Sequence, residues 1–181
     1  MALQQASPKK IYIRVDWPWV YDYTISNIPT TDSNVYVNVA KSRLTIQSVK
    51  FKFTATYSSG RACYVLISSN ESNTNRYWLS FWVNSWGFAS SITIRGRLWG
   101  SDTYYREIAS SISWSYNIEY TISRDGNCSV TYNWNTTNYT ATWTELTVIQ
   151  TIMNLSNMNV YSAQYWSILT WNKVDVEVTY S

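Results

Sequence analysis

Eleven carboxylates, fourteen lysines and arginines and two cysteines are the main groups in this sequence able to do acid–base, metal or redox chemistry, and no histidine accompanies them. The commonest general base and the commonest transition-metal ligand are therefore missing together. Ser-His-Asp triads, zinc–histidine sites and histidine-held haem are excluded, and carboxylate chemistry is what remains. Glycoside cleavage needs two carboxyl groups at about 5–9.5 Å, yet the acids are scattered and no strand carries Glu-x-Asp-x-x-Glu. Asp175 and Glu177 share a strand face, but they alternate with Val174, Val176 and Val178 and read as a solvated outer surface. No catalytic residue is assigned. Clustered acids of the kind that hold calcium are absent, so neither a metal nor a cofactor is expected. Cys63 and Cys128 are the only cysteines and make no Cys-x-x-Cys. They read as two buried thiols, or as a disulfide if their Cα atoms come within about 4.4–6.8 Å.

Two sets of residues suggest binding. Lys41, Arg43, Lys50 and Lys52 fall on the outward side of their strands, and Arg95 and Arg97 flank Gly96. Such a basic stripe suits phosphates or acidic sugars; a solvated face that discourages edge pairing is the simpler reading. Trp17, Trp19, Trp86, Trp99, Tyr104, Tyr105 and Trp143 fall at loops or strand ends, where aromatic rings stack on sugars or anchor partners. Pro18 stiffens the Trp17–Trp19 pair. Asn-x-Ser/Thr sequons occur at Asn70, Asn127, Asn135, Asn138 and Asn154.

The elements that must position these side chains are strands. Of 181 residues, 17% are aromatic and only 14% are charged, where ordinary soluble domains have about 25%. Aromatic and β-branched residues fit a pleated, half-buried surface. Period-2 alternation recurs through Ile11, Ile13, Val15 and Trp17, and through Val35, Val37 and Val39. It then slips phase between Leu44, Ile46 and the run Val49, Phe51, Phe53, Ala55, Tyr57, which predicts a bulge or a break in the strand near Gln47–Ser48. Further strands are expected at 63–68, 77–83, 91–98, 104–108, 112–122, 128–134, 163–170 and 174–180. Thr142 and Glu145 form a capping box opening one helix through Leu146, Ile149, Ile152 and Met153, although its β-branched residues also suit a strand. Residues 135–142 read as a polar loop. The pattern implies one all-β domain over 1–181, a two-sheet antiparallel β-sandwich with at most one or two short helices.

One hairpin can be resolved to its register. A two-residue Asp125-Gly126 turn would set apolar side chains opposite polar ones. A three-residue loop, Arg124-Asp125-Gly126, instead pairs Ile122 with Cys128, Tyr120 with Val130, Ile118 with Tyr132 and Tyr116 with Trp134, so that all eight share one face and Cys128 points inward.

No apolar run approaches the roughly 20 residues of a membrane helix, and the first ten residues lack a signal-peptide core. The expectation is a removed signal or another route out of the cell. Residues 1–106 hold 12 Lys/Arg against 5 Asp/Glu, and residues 107–181 hold 2 against 6. The halves could attract each other between copies, but folding them together within one molecule is the simpler expectation.

The stretch Trp114-Ser115-Tyr116-Asn117-Ile118-Glu119-Tyr120-Thr121-Ile122, then Arg124-Asp125-Gly126, then Ser129-Val130-Thr131-Tyr132, resembles the concanavalin A-like lectin/glucanase sandwiches. The closing Val174-Asp175-Val176-Glu177-Val178 is similar to their final strand. The resemblance implies a jelly-roll fold. The chain lacks the acidic cluster of the enzymes and the metal-binding acids of the legume-type lectins. Its Ser/Thr/Asn/Trp/Tyr-rich, histidine-free composition also resembles surface and virion proteins of hyperthermophilic archaea and their viruses. The reading taken is a non-enzymatic structural protein, extracellular or on a virion surface, partnered by copies of itself. A carbohydrate-binding, lectin-like module recognising surface glycans is the alternative. Membrane insertion and nucleic-acid binding are not expected.

Overall fold

The structure, a computed structural model, describes residues 9–14, 21–29, 35–39, 44–56, 62–69, 74–83, 90–110, 115–165 and 173–181. In chain order the elements are β1 (Lys9–Arg14), β2 (Tyr21–Pro29), β3 (Val35–Asn38), β4 (Ile46–Thr56), β5 (Ala62–Ser68), β6 (Arg76–Val83), β7 (Ser90–Leu98), β8 (Ser101–Ser110), β9 (Ser115–Ser123), β10 (Asn127–Tyr132), β11 (Asn135–Thr140), α1 (Trp143–Met153), β12 (Asn159–Tyr165) and β13 (Lys173–Tyr180). They form a seven-stranded sheet ordered β1-β2-β13-β4-β9-β10-β11 and a six-stranded sheet ordered β3-β12-β5-β6-β7-β8. Every pairing is antiparallel.

Alternation explains why the sheets stack. On the seven-stranded sheet it sends Val49, Phe51 and Phe53, Ile118, Tyr120 and Ile122, Cys128 and Val130, and Val174, Val176 and Val178 to one face. On the six-stranded sheet it does the same for Val65, Ile67, Leu79, Ile92, Ile94 and Val160. These residues make one shared core. Burying such faces against each other supplies the main driving force of the fold. The all-β sandwich expected from the sequence is what forms.

The expected bulge is present. Thr179 pairs with Ser48 and Tyr180 with Ile46, leaving Gln47 as the extra residue that restores inward phase on both sides. The three-residue hairpin loop is also present: Gly126 donates its N–H to the Ser123 carbonyl at 3.0 Å and has φ +87°. The ladder pairs Thr121 with Ser129, Tyr120 with Val130 and Ile118 with Tyr132, and Cys128 is buried. Thr142 caps α1 through both arms of its capping box, with Asn154 as C-cap.

Several expectations need correction. Tyr116 does not face Trp134, because β10 ends at Tyr132 and the chain reverses through Asn133 and Trp134, whose φ values are 43° and 74°. Residues 135–140, read as loop, form edge strand β11; its Asn, Thr and Tyr residues are half-buried or exposed, so no apolar alternation announced it. Strand β2 was not foreseen. Its register shifts against β13 between Val174 and Val176, which breaks the phase between Ile25 and Ile28. Strand β12 begins at Asn159, ahead of the expected 163.

The uneven charge is resolved within the molecule. On β4, Lys50 lies opposite Glu177, and Lys52 lies opposite both Asp175 and Glu119, so basic and acidic halves interleave on one outer face.

Gly126 is the backbone position this hairpin depends on. A Cβ there would meet Leu146 Cδ1 at 3.1 Å and the Ala141 Cβ at 3.2 Å, at a φ that side chains resist. Gly126→Ala should lower unfolding free energy by about 1–3 kcal/mol in chemical denaturation, and an unchanged midpoint would contradict this account of the turn.

Candidate functional site

The positions singled out in the sequence separate sharply. Trp17, Trp19, Lys41, Arg43 and Trp86 lie outside the described residues, as do the side chains of Cys63, Tyr104 and Tyr105. Lys50 and Lys52 do not form a free basic stripe. Lys52 Nζ lies 2.6 Å from Glu177 Oε1, and that hydrogen bond holds its pKa above the usual lysine value. The disulfide alternative is corrected: Cys128 is a free, buried thiol on β10 of the seven-stranded sheet, and Cys63 lies on β5 of the other. Burial pushes the Cys128 thiol up, away from the reactive thiolate. Trp143 is the first residue of α1 and is 84% exposed. The sequon asparagines Asn127, Asn135, Asn138 and Asn154 are all exposed.

Arg95 and Arg97 belong to a more organised surface, the face of the six-stranded sheet turned away from the shared core. Its register sets Tyr161, Leu66, Trp78 and Arg95 in one row, and Ser68, Arg76, Arg97 and Asp102 in the next. Leu66, Trp78 and Tyr161 are buried as a second apolar cluster. Exposure rises toward β7 and β8, where Arg95 and Asp102 meet solvent. The Arg76 guanidinium lies over the Trp78 ring, 4.4 Å from its centroid. Such a cation–π contact both orients the cation and shields the ring. Arg97 Nε donates to Asp102 Oδ1 at 2.7 Å.

At the end of this face β7 turns into β8 through Trp99 and Gly100, with φ values of 54° and 83°. A bulky residue rarely accepts that left-handed conformation. Here it is imposed: the Trp99 N–H donates to Asn75 Oδ1 at 2.7 Å, the Gly100 N–H donates to the Thr74 carbonyl at 2.9 Å, and Asn75 itself is buried. Trp99 is consequently fixed in its backbone while its side chain remains 75% exposed. Fixed aromatic rings beside charged hydrogen-bonding groups recognise ligands that have an apolar face and a polar edge.

A second polar cluster lies inside the molecule, and sequence reasoning identified only its helix-capping part. Glu145 is 0% exposed. Its Oε1 accepts from the Tyr77 hydroxyl at 2.9 Å, and its Oε2 accepts from the Thr142 N–H at 2.7 Å and from Arg106 Nη2 at 3.2 Å. The Arg106 guanidinium also sits 4.8 Å from the Tyr139 ring centroid. The Tyr139 hydroxyl lies 3.1 Å from that of Tyr77 and 3.4 Å from that of Tyr120. Burial, ahead of any neighbour, pushes all three phenols far above their usual range, so they stay neutral and hydrogen-bonded. A carboxylate so fully engaged is a fastener between α1, β6 and β8. Among the described residues no group of three or more Cys, Asp or Glu is placed to hold a metal ion.

No family model and no curated relative matches the sequence. Solved structures do show a similar architecture. Galectin LEC-6 from Caenorhabditis elegans aligns at TM-score 0.49 and 11% identity, over 87% of this chain and 95% of its own. CG-16, a homodimeric agglutinin from chicken liver, aligns at 0.43 and 10%, over 82% and 95%. The carbohydrate-binding module CBM66 from Bacillus subtilis aligns at 0.39 and 8%, over 93% and 88%.

Two measurements test this geometry. Glu145→Ala removes the acceptor that Tyr77, Arg106 and the Thr142 N–H share; it should cost about 3 kcal/mol of stability, and Glu145→Gln, which keeps an acceptor, should cost less. Arg97, with smaller contributions from Arg76 and Arg95, holds the Asp102 carboxyl below the usual carboxylate range. A depressed folded value stabilises above the unfolded pKa and loses that contribution as pH falls through the folded one. Arg97→Gln should therefore raise the Asp102 pKa in an NMR titration, and no change would contradict the pairing.

Proposed function

We propose that this chain is a non-catalytic carbohydrate-binding module, acting outside the cell, that takes glycans at the β7–β8 end of the six-stranded sheet's outer face. One observation carries the reading. Trp99 is held in a costly left-handed conformation by the buried Asn75 and still exposes its ring, at the turn that joins the strands carrying the paired Arg97 and Asp102. A sugar ring offers an apolar face for the indole to stack on. Its hydroxyls both donate and accept, which suits an Arg–Asp pair whose guanidinium donates and whose carboxylate accepts.

Self-assembly into a surface structure is the second reading, favoured by the exposure of Trp134 at the β10–β11 turn and Trp143 at the start of α1. Exposed aromatics of this kind anchor protein partners as readily as sugars. The virion and archaeal expectations find no support in the fold or in the comparisons.

Glycan-array screening of the chain separates the two. Trp99→Ala should weaken capture of the best glycan about tenfold or more with an unchanged melting temperature, while Trp134→Ala should leave capture intact. A chain that binds no glycan and runs as a large regular particle in light scattering would instead establish assembly.

A further inference from the structure

We propose that the ligand at this face is an acidic glycan, its sulfate or carboxylate groups seated among Arg76, Arg95 and Arg97 beside the Trp99 turn. The inference rests on the glycan-binding reading and names its substrate class. The register carries it. Arg76 and Arg97 stand directly opposite each other on β6 and β7, and Arg95 projects from the same face one row along. Like charges directly opposite across a strand pair destabilise a sheet; Asp102 already answers part of that repulsion, and an anion seated beside the arginines adds charge-assisted bonds.

The arginines are also oriented in advance. Arg76 is held over Trp78, and Arg97 is held by Asp102. All three guanidiniums act on the Asp102 carboxyl, Arg97 most strongly, so their fields converge on one place. That place already holds one carboxylate of the protein's own. Arginine forks match sulfate and carboxylate oxygens two at a time, which a lysine ammonium does not do. On the outer face of the other sheet Lys50 and Lys52 lie among three acids, Glu119, Asp175 and Glu177; here three arginines share their face with two, Asp102 opposite Arg97 and Glu107 opposite Thr93.

A polynucleotide fits less well. Nucleic-acid surfaces need extended tracks of phosphate contacts, whereas this chain carries a net charge of only +3. The basic rows here also run directly into the buried apolar cluster of Leu66, Trp78 and Tyr161.

The test uses the full chain against immobilised dextran sulfate, polygalacturonate and uncharged dextran, with single- and double-stranded oligonucleotides as competitors. Capture by at least one acidic polymer and none by dextran is expected. Arg95→Gln, at an exposed position, should weaken that capture about tenfold. Arg95→Lys, which keeps the charge and loses the fork, should fall between and serves if the glutamine variant fails to fold. The double variant Lys50→Gln/Lys52→Gln should bind as the parent does. Equal loss in that double variant would reduce the effect to overall charge and overturn the proposal. So would tighter binding of an oligonucleotide, or failure to bind either acidic polymer. Capture of neutral glycans alone, lost in Trp99→Ala, would overturn acidic selectivity and leave the glycan-binding reading standing. Binding to no glycan would end both.

Discussion

The carboxylate of Glu145 is the point through which three parts of the molecule are joined. It is removed from water completely, and an ionised group in that position is tolerated only when its lone pairs are met by donors. Thr142 meets them from the helix N-terminus, Tyr77 from β6 and Arg106 from β8. The helix could otherwise lie at many angles on an apolar surface, since hydrophobic packing has no direction. Hydrogen bonds do have direction, and these fix where α1 seats Val148, Ile149, Ile152 and Met153 in the core. Tyr139 extends the same network toward β9 and Cys128, so the edge strand β11, poor in apolar residues, is also held by polar contacts.

What the sequence made legible follows from how much of each signal was local. The hairpin of β9 and β10 was readable to single pairs because two strictly alternating strands flank one glycine, and only one loop length keeps both apolar sets on one face. The Gln47 bulge showed as a phase slip, and α1 as a four-residue cap pattern. Strands β2 and β11 were invisible for opposite reasons. The first is interrupted by its own irregularity, and the second lies at an edge where one row of hydrogen bonds suffices and side-chain pattern is free to wander.

The binding face was legible only in fragments. Arg95, Arg97 and Trp99 stood out individually, but nothing in the sequence showed that Arg76 and Asp102 join them, because that neighbourhood is made by cross-strand register. Asn75 carried no signal at all. Its role is to hold the backbone of Trp99, twenty-four positions away. The interior carboxylate was likewise read as a helix cap, since the sequence shows Thr142 three residues before it and does not show Tyr77 and Arg106 arriving from the six-stranded sheet.

The sheet order has a consequence for how the chain is made. The last strand, β13, lies between β2 and β4, and β12 lies between β3 and β5. On a ribosome, the strands of the first half therefore emerge long before the neighbours that will separate and cover them. Until β12 and β13 have emerged, both sheets lack an interior member, and β2, β3, β4 and β5 present bare hydrogen-bonding edges to whatever is nearby. Nascent chains of this topology have reason to stay unfolded or be shielded during synthesis. Loss of the eight residues of β13 alone would leave a gap in the middle of the seven-stranded sheet.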